Sequence, residues 1–265
     1  MSIEGDFEFK GFWGASILRP YVEYSKKGIH YCIYCGGLSD TREHVPSKVF
    51  LNRPFPDDLP TLPACQKCNN GFSADELYTN TYIECTKSIY ENGNLDSIEI
   101  ESNDRKEIKE AKQAVKSSYI IGCFKEDDRI IRILYKLALG HIAYELFECY
   151  NIECYNNGID VSIKYVFKYS IDKESWLSLD TIELLDDEFL PEVGSRSFRN
   201  IFVLESAIKS IDKKNSAVVQ NIVMMWSDIQ KGTYKYIALF RKKETIVKMI
   251  IRDFLYAEVK IRREF

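Results

Sequence analysis

The sequence predicts an α+β protein in which a small cysteine-bearing module precedes a larger domain of helices and antiparallel β-sheet. Two cysteine pairs with the same spacing lie near the start of the chain, and five of the seven prolines fall between them. Farther along, apolar residues first recur with the period of a helix and then alternate as in a strand. We therefore divide the chain into an N-terminal extension (residues 1–28), the cysteine-bearing module (29–92) and a C-terminal domain (93–265).

The two cysteine pairs have the spacing of a zinc site. Both have the form Cys-x-x-Cys, and their members are Cys32, Cys35, Cys65 and Cys68. Each pair can form a tight knuckle, and a loop between the knuckles can bring four thiolates to one tetrahedral ion. Such a site is closed, so its zinc would stabilise the fold and take no part in chemistry. His30 could replace one ligand, but with four cysteines present we expect it to be a bystander.

The remaining four cysteines lack this spacing. They are Cys85, Cys123, Cys149 and Cys154, and we expect them to be small buried apolar residues. Glycines next to the pairs, Gly36-Gly37 and Gly71, suit the tight turns of the knuckles.

Helix signals follow the second pair. Ser73 and Glu76 have the capping-box spacing, which predicts a helix from Ser73 to a stop at Asn92-Gly93. Further helices are predicted at 104–116 and 128–150, the second with a wide apolar stripe. Alternation from Val161 then predicts a strand, and more strands are predicted at 218–226, 234–241 and within 245–261.

The last 25 residues are locally basic. Residues 241–265 hold eight basic and four acidic side chains, although the whole chain has a net charge of -4. Two interpretations stay open at this stage: a face that binds phosphate, or a solvated sheet edge protected by lysines.

The composition limits the class of protein. Hydrophobic residues make up 45% and charged residues 29% of the 265, as in globular proteins that fold in water. The longest apolar runs are too short for a membrane span, and the first residues are acidic with no apolar segment of a secretory signal. We therefore expect a cytoplasmic chain with no membrane partner.

A second group of residues between and after the knuckles can carry chemistry. Glu43 and His44 are neighbours, and the approach to the next helix offers Asn69, Asp75 and Glu76. Glu43 with Asn69 could hold a hard cation such as Mg²⁺, which prefers oxygen ligands. Neutral His44 could then act as a general base for water attacking phosphorus. An exposed dipeptide without function is the alternative reading of Glu43-His44 taken alone.

These residues together resemble a known family. Cys32 and Cys35, then Glu43-His44-Val45-Pro46, then Cys65-Gln66-Lys67-Cys68-Asn69 are similar to the zinc-stabilised HNH endonucleases, which are ββα-metal (His-Me finger) nucleases. The resemblance covers about residues 30 to 80. It implies a ββα-metal module with His44 as general base, and with Glu43 and Asn69 holding one catalytic Mg²⁺ or Mn²⁺ ion beside the structural zinc.

The chain departs from the family pattern at two positions. Glu43 stands where the family more often has Asp, and Pro60 stands where it usually has the Asn that orients the catalytic His. The orienting group is therefore unassigned, with Asp58 and a backbone carbonyl as the candidates.

The sequence thus predicts a metal-dependent endonuclease that hydrolyses phosphodiester bonds, with double-stranded DNA as substrate. The alternative is a non-catalytic zinc module that binds nucleic acid or a partner protein. A partner protein or a second copy of the chain is compatible with either. Restriction or phage defence, homing and mobile-element roles all occur in the family, and the sequence does not choose among them.

Overall fold

The computed structural model describes residues 7–11, 31–93, 105–121, 126–146, 160–181, 183–185, 200–209, 216–240 and 244–262. Within these ranges the chain forms four α-helices and three antiparallel β-sheets, which confirms the mixed α+β class. The helices are α1 (Gln66–Asn92), α2 (Lys106–Ile121), α3 (Asp128–Leu146) and α4 (Lys173–Leu179). None of them has the length and apolar composition needed to cross a lipid bilayer.

The smallest sheet lies between the two cysteine pairs and consists of β2 (Thr41–His44) and β3 (Thr61–Ala64). A four-stranded sheet has the order β1-β6-β7-β5, with β1 (Phe7–Gly11), β5 (Glu183–Leu185), β6 (Ile201–Lys209) and β7 (Ser216–Met224). A five-stranded sheet has the order β4-β11-β10-β9-β8, with β4 (Val161–Phe167), β8 (Ser227–Gln230), β9 (Tyr234–Phe240), β10 (Glu244–Ile251) and β11 (Leu255–Arg262).

Helix α1 begins two turns earlier than the sequence predicts. Cys65 is its N-cap, since the Cys65 Sγ atom accepts a hydrogen bond of 3.4 Å from the backbone N–H of Cys68. Ser73 lies inside the helix and donates to the carbonyl of Asn69, so the predicted capping box is wrong. Gly71 is likewise helical rather than part of a turn. The predicted end is confirmed, because Gly93 closes the helix with a positive φ of 67°.

The prediction of the other elements is mixed. Helix α3 starts at Asp128 as expected, and the strands expected from Val161, near 218–226 and at 234–241 are all present. The segment 245–261 forms a hairpin of two strands, β10 and β11. Strands β1, β5, β6 and β8 and the short helix α4 are not predicted by the sequence patterns. They are short, or their apolar residues lack the strict alternation that identifies a strand from sequence.

Helix α3 contacts both the cysteine-bearing module and the five-stranded sheet. Its neighbours are α1 and β3 in the module, and β4, β9, β10 and β11 in the sheet. Every residue from 133 to 145 is buried. One hydrophobic core therefore includes Ile33 and Leu62 of the module together with Val247 and Ile261 of the sheet. Residues from before and after residue 92, where the sequence suggested a domain boundary, thus belong to the same hydrophobic core.

The described part of the basic tail, residues 244–262, lies in the interior of the five-stranded sheet rather than at its edge. Strands β10 and β11 each have a neighbour on both sides, so the sheet-edge interpretation is wrong. The four basic residues described there also have acidic partners, which argues against a free phosphate-binding face. Lys248 pairs with Glu183, Lys260 with Glu258, Arg252 with Glu84, and Arg262 with Asp160 and Glu244.

Candidate functional site

The four paired cysteines meet where the first knuckle faces the start of α1. Cys32 and Cys35 lie in a turn closed by a β-bridge between Tyr31 and Leu38. Gly36 has a φ of 70° in this turn, and its N–H donates to the Cys32 carbonyl at 2.9 Å. A side chain there would be strained, so the predicted role of Gly36 is confirmed.

The geometry of the four sulfur atoms fits a tetrahedral zinc ion. All four Sγ atoms lie within 4.8 Å of one another, and those of Cys35 and Cys65 are 3.7 Å apart. Zinc–sulfur bonds of about 2.3 Å in a tetrahedron place neighbouring sulfurs about 3.8 Å apart. The N–H of Cys68 lowers the pKa of the Cys65 thiol, whereas burial raises the pKa of the Cys32 and Cys68 thiols, so the sulfur positions rather than the pKa values are the argument for a metal site. The predicted ligand set therefore forms one cluster that could hold zinc.

Cys85 is separate from this cluster. It lies on α1, fully buried, and burial raises the pKa of its thiol to about 11. This matches the expectation of a small buried apolar residue. Cys123, Cys149, Cys154 and His30 lie outside the described residues.

His44 lies at the end of β2, opposite Thr61 of β3, and is partly exposed. Because side chains alternate along a strand, His44 and Arg42 share one face of the hairpin. Arg42 is anchored there by hydrogen bonds from Nε to the Thr61 hydroxyl (2.8 Å) and from Nη2 to the Thr61 carbonyl (3.1 Å). Burial first, and then the charges of Lys48 and Lys136, lower the pKa of His44. The imidazole is therefore neutral at pH 7, the form that a general base needs.

Glu43 points to the opposite face, into the protein. It is only 5% exposed, and its Oε1 atom lies 2.8 Å from the Nζ atom of Lys136 on α3. The Ser47 hydroxyl lies 3.0 Å from the same oxygen. Glu76 of α1 completes the group, since its carboxylate contacts both Ser47 and Lys136. We call these four residues (Glu43, Ser47, Glu76 and Lys136) the Lys136 cluster.

Two aromatic rings lie close to the Lys136 ammonium. The Lys136 Nζ atom lies 5.7 Å from the ring centre of Tyr34 and 5.6 Å from that of Phe72. Burial, together with the charges of Glu43 and Glu76, raises the pKa of Tyr34 well above its usual range. The sequence offered Glu76 as one of several groups near the helix start, but Lys136 was missed. Its signal was a single lysine inside the apolar run Ile133-Leu134-Tyr135-Lys136-Leu137.

Asn69 lies in the first turn of α1, near β2. Its Nδ2 atom is 3.3 Å from the Thr41 hydroxyl and 3.4 Å from the Arg42 carbonyl. Thr41 and Glu43 share one face of β2, so Asn69 is on the same side of the hairpin as Glu43. The hydrogen-bond partners of Asn69 and Glu43 are nevertheless different. Their joint action as metal ligands remains a prediction.

Among the described residues, none orients the His44 side chain. Asp58 is exposed in a turn, and the Pro60 carbonyl accepts the N–H of Val45 at 2.9 Å. Within the described part of the chain, the His44 imidazole has no hydrogen-bond partner.

His141 on α3 is packed in the protein core. It is fully buried, its Nε2 atom is 2.8 Å from the Tyr234 hydroxyl, and its ring stacks on Tyr236 at 3.7 Å. Burial lowers its pKa to about 3.

Comparison of the chain with models of protein families, with curated proteins and with solved structures finds no match.

Proposed function

We propose that this chain is a metal-dependent HNH-type endonuclease that hydrolyses phosphodiester bonds, with double-stranded DNA as its substrate. Support comes from the order of elements around the cysteine cluster. The hairpin β2–β3 leads directly into α1, the first knuckle precedes the hairpin, and the second knuckle begins the helix. Two strands and a helix in this order are what a ββα-metal module requires.

The position and the lowered pKa of His44 carry the proposal. A partly exposed imidazole with a lowered pKa lies on the outer face of the hairpin, where a nucleic acid can reach it. Arg42 shares that face, and Lys48 is close enough to act on the charge of His44. Two cations beside a neutral imidazole suit the approach of a phosphate group. His44 would take a proton from the attacking water.

The groups proposed to hold a divalent ion lie on the opposite side of the hairpin from His44. They can serve the same phosphate only if α1, which contacts β2, helps to bring both sides to one site. Glu43 and Asn69 offer carboxylate and amide oxygens, which suit Mg²⁺ or Mn²⁺. The chemistry that such an ion supplies when bound is stabilisation of the charge that develops on the phosphate and on the leaving oxygen. The zinc of the cysteine cluster would only hold the two knuckles together.

A non-catalytic zinc module that binds nucleic acid or a partner protein is the second candidate. One observation favours it: the Glu43 carboxylate already has a cationic partner, the buried ammonium of Lys136. A chain without a catalytic metal ion would retain the zinc fold and could still bind nucleic acid through Arg42 and Lys48.

A cleavage assay separates the two candidates. Purified zinc-loaded protein is incubated with supercoiled plasmid and Mg²⁺ or Mn²⁺, and wild type is compared with His44→Ala. His30→Ala is the matched control for loss of a histidine. Cleavage by wild type and His30→Ala but not by His44→Ala supports the nuclease. Equal cleavage by all three would point to a contaminant, and DNA binding without cleavage would favour the binding module.

A further inference from the structure

Lys136 joins three separate parts of the chain at one point. Glu43 comes from β2, Glu76 from α1, and Lys136 from α3, while Ser47 follows the hairpin strand. Only 1% of the Lys136 side chain and 7% of that of Glu43 are exposed. An ammonium group at this depth is unfavourable unless oxygen atoms replace its lost water, and here three oxygens do so.

The partners of this ammonium are those that a hard divalent cation also prefers. Carboxylate and hydroxyl oxygens bind Mg²⁺ and Mn²⁺, and the Lys136 cluster supplies two carboxylates and one hydroxyl. The rings of Tyr34 and Phe72 border the same ammonium. A second cation close to Lys136 would meet a like charge in surroundings that screen it poorly.

We propose that Lys136 is an internal cation that competes with a divalent metal ion for Glu43. In the metal-free chain the ammonium holds the carboxylate. A divalent ion gains Glu43 as a ligand only when the Lys136 ammonium moves away. Lys136 is thus a positioning residue that acts through Glu43, and it makes α3 of the C-terminal half a part of the site.

This inference deepens the proposed function, because it names the residue that sets the metal requirement of the site. It rests on that proposal for its bearing on cleavage. The competition itself can be measured without any nuclease activity.

The experiment measures Mn²⁺ binding to the full zinc-loaded chain. Free Mn²⁺ is followed by electron paramagnetic resonance during titration of wild type, Lys136→Met and the double variant Lys136→Met/Glu76→Gln. Lys248→Met is the matched control, because Lys248 is also mostly buried (16% exposed) and paired with Glu183 and Glu258, but lies on β10. Losing that lysine tests whether any buried lysine affects Mn²⁺ affinity.

Lys136→Met should bind Mn²⁺ at least about tenfold more tightly than wild type, since the competing charge is gone. The double variant keeps one carboxylate and should bind with intermediate affinity, and Lys248→Met should bind like wild type. Mn²⁺ should also raise the unfolding temperature of Lys136→Met more than that of wild type.

The proposal is overturned if Lys136→Met binds Mn²⁺ no more tightly than wild type, or if Lys248→Met gains the same affinity. Should Lys136→Met fail to fold, the double variant decides. It has the same net cluster charge as wild type, and affinity no higher than that of wild type would overturn the proposal. Absence of plasmid cleavage by wild type would overturn the proposed function but leave this binding result unaffected.

Discussion

Lys136 and Glu43 lie 93 positions apart in the chain, and the ammonium nitrogen of one is 2.8 Å from a carboxylate oxygen of the other. Both are buried, so neither charge can be satisfied by water. The pair connects the cysteine-bearing module to a helix of the C-terminal half. A truncated chain ending near residue 92 would lack Lys136 and would leave Glu43 and Glu76 facing each other without a cation, which is unfavourable for two carboxylates.

Zinc removal should unfold more than the module. Binding of a structural zinc ion contributes on the order of 10 kcal/mol to folding in small zinc domains. Because Cys32 and Tyr34 belong to the same core as the strands of the five-stranded sheet, we expect a chelator to lower the stability of the whole chain. Metal analysis should find one zinc per folded chain, and circular dichroism should show a large fall in unfolding temperature. Well under one zinc per chain would contradict the assignment.

Cys65→Ser and Cys85→Ala should behave differently. Cys65→Ser removes a zinc ligand and alters the N-cap of α1, so zinc content and solubility should both fall. Cys85→Ala removes one buried sulfur, should keep full zinc content and should cost about 1 kcal/mol of stability. Zinc content and thermal unfolding of the two variants check this. Equal zinc loss in both would show that the four-cysteine ligand set is wrong.

Cleavage by the proposed nuclease should depend on the protonation of His44. Its pKa is lowered from the ordinary value of 6.5, first by burial and then by Lys48 and Lys136. Only the neutral imidazole accepts a proton, so the rate should rise with pH below 6.5 and level off before neutrality. His44→Ala should lower the rate on the order of a hundredfold or more and remove this pH step. A pH–rate profile unchanged in His44→Ala would assign the step to another group.

His141 should make the folding stability of the chain depend on pH, because its imidazole is buried in the folded state. Its folded pKa is about 3 against an ordinary value of 6.5, because burial opposes the charged form. Below pH 6.5 the unfolded chain therefore binds a proton that folded His141 does not. The contribution of His141 to the free energy of unfolding is therefore greatest above pH 6.5. It falls by about 1.4 kcal/mol for each pH unit between pH 6.5 and about pH 3.

Urea unfolding between pH 7 and pH 4 checks this in wild type and His141→Gln. The glutamine amide can still pair with Tyr234 but does not titrate, so the slope of stability against pH should decrease by about one proton. His44→Gln is the control, since His44 is partly exposed and should change the slope less. If His141→Gln retained the wild-type slope, the buried imidazole would not be its source.

Arg252 should stabilise the contact between the module and the five-stranded sheet. Its guanidinium donates to Asn80 (3.0 Å) and Asn52 (2.8 Å) and pairs with Glu84 (2.8 Å), with only 13% of the side chain exposed. Arg252→Met leaves these acceptors unpaired and should cost about 2 kcal/mol.

Arg262→Met is the control for this prediction. Arg262 also has two acidic partners, but 63% of its side chain is exposed, so its loss should lower the stability much less than the loss of Arg252. Chemical denaturation of both variants gives the comparison. If both variants lost the same unfolding free energy, burial would not explain the difference expected between the two arginines.

The sequence alone determined the features that depend on local spacing. The first Cys-x-x-Cys pair predicts its own knuckle, because the turn at Gly36 is set by nearby residues. The end of α1 at Gly93 and the strand from Val161 follow from local patterns in the same way. Cys65 was not foreseen as a helix cap, since a thiol is outside the usual set of capping side chains.

Only the tertiary structure decided where the charges are satisfied. The basic tail could have been a phosphate-binding face, but its described residues have acidic partners that come partly from distant segments, such as Glu183 for Lys248 and Glu84 for Arg252. The sequence indicated that Glu43 could hold a metal ion, whereas the structure places Lys136 of α3 beside its carboxylate. The physical reason is that burial of a charge depends on which elements pack around it, and that packing joins residues far apart in the chain.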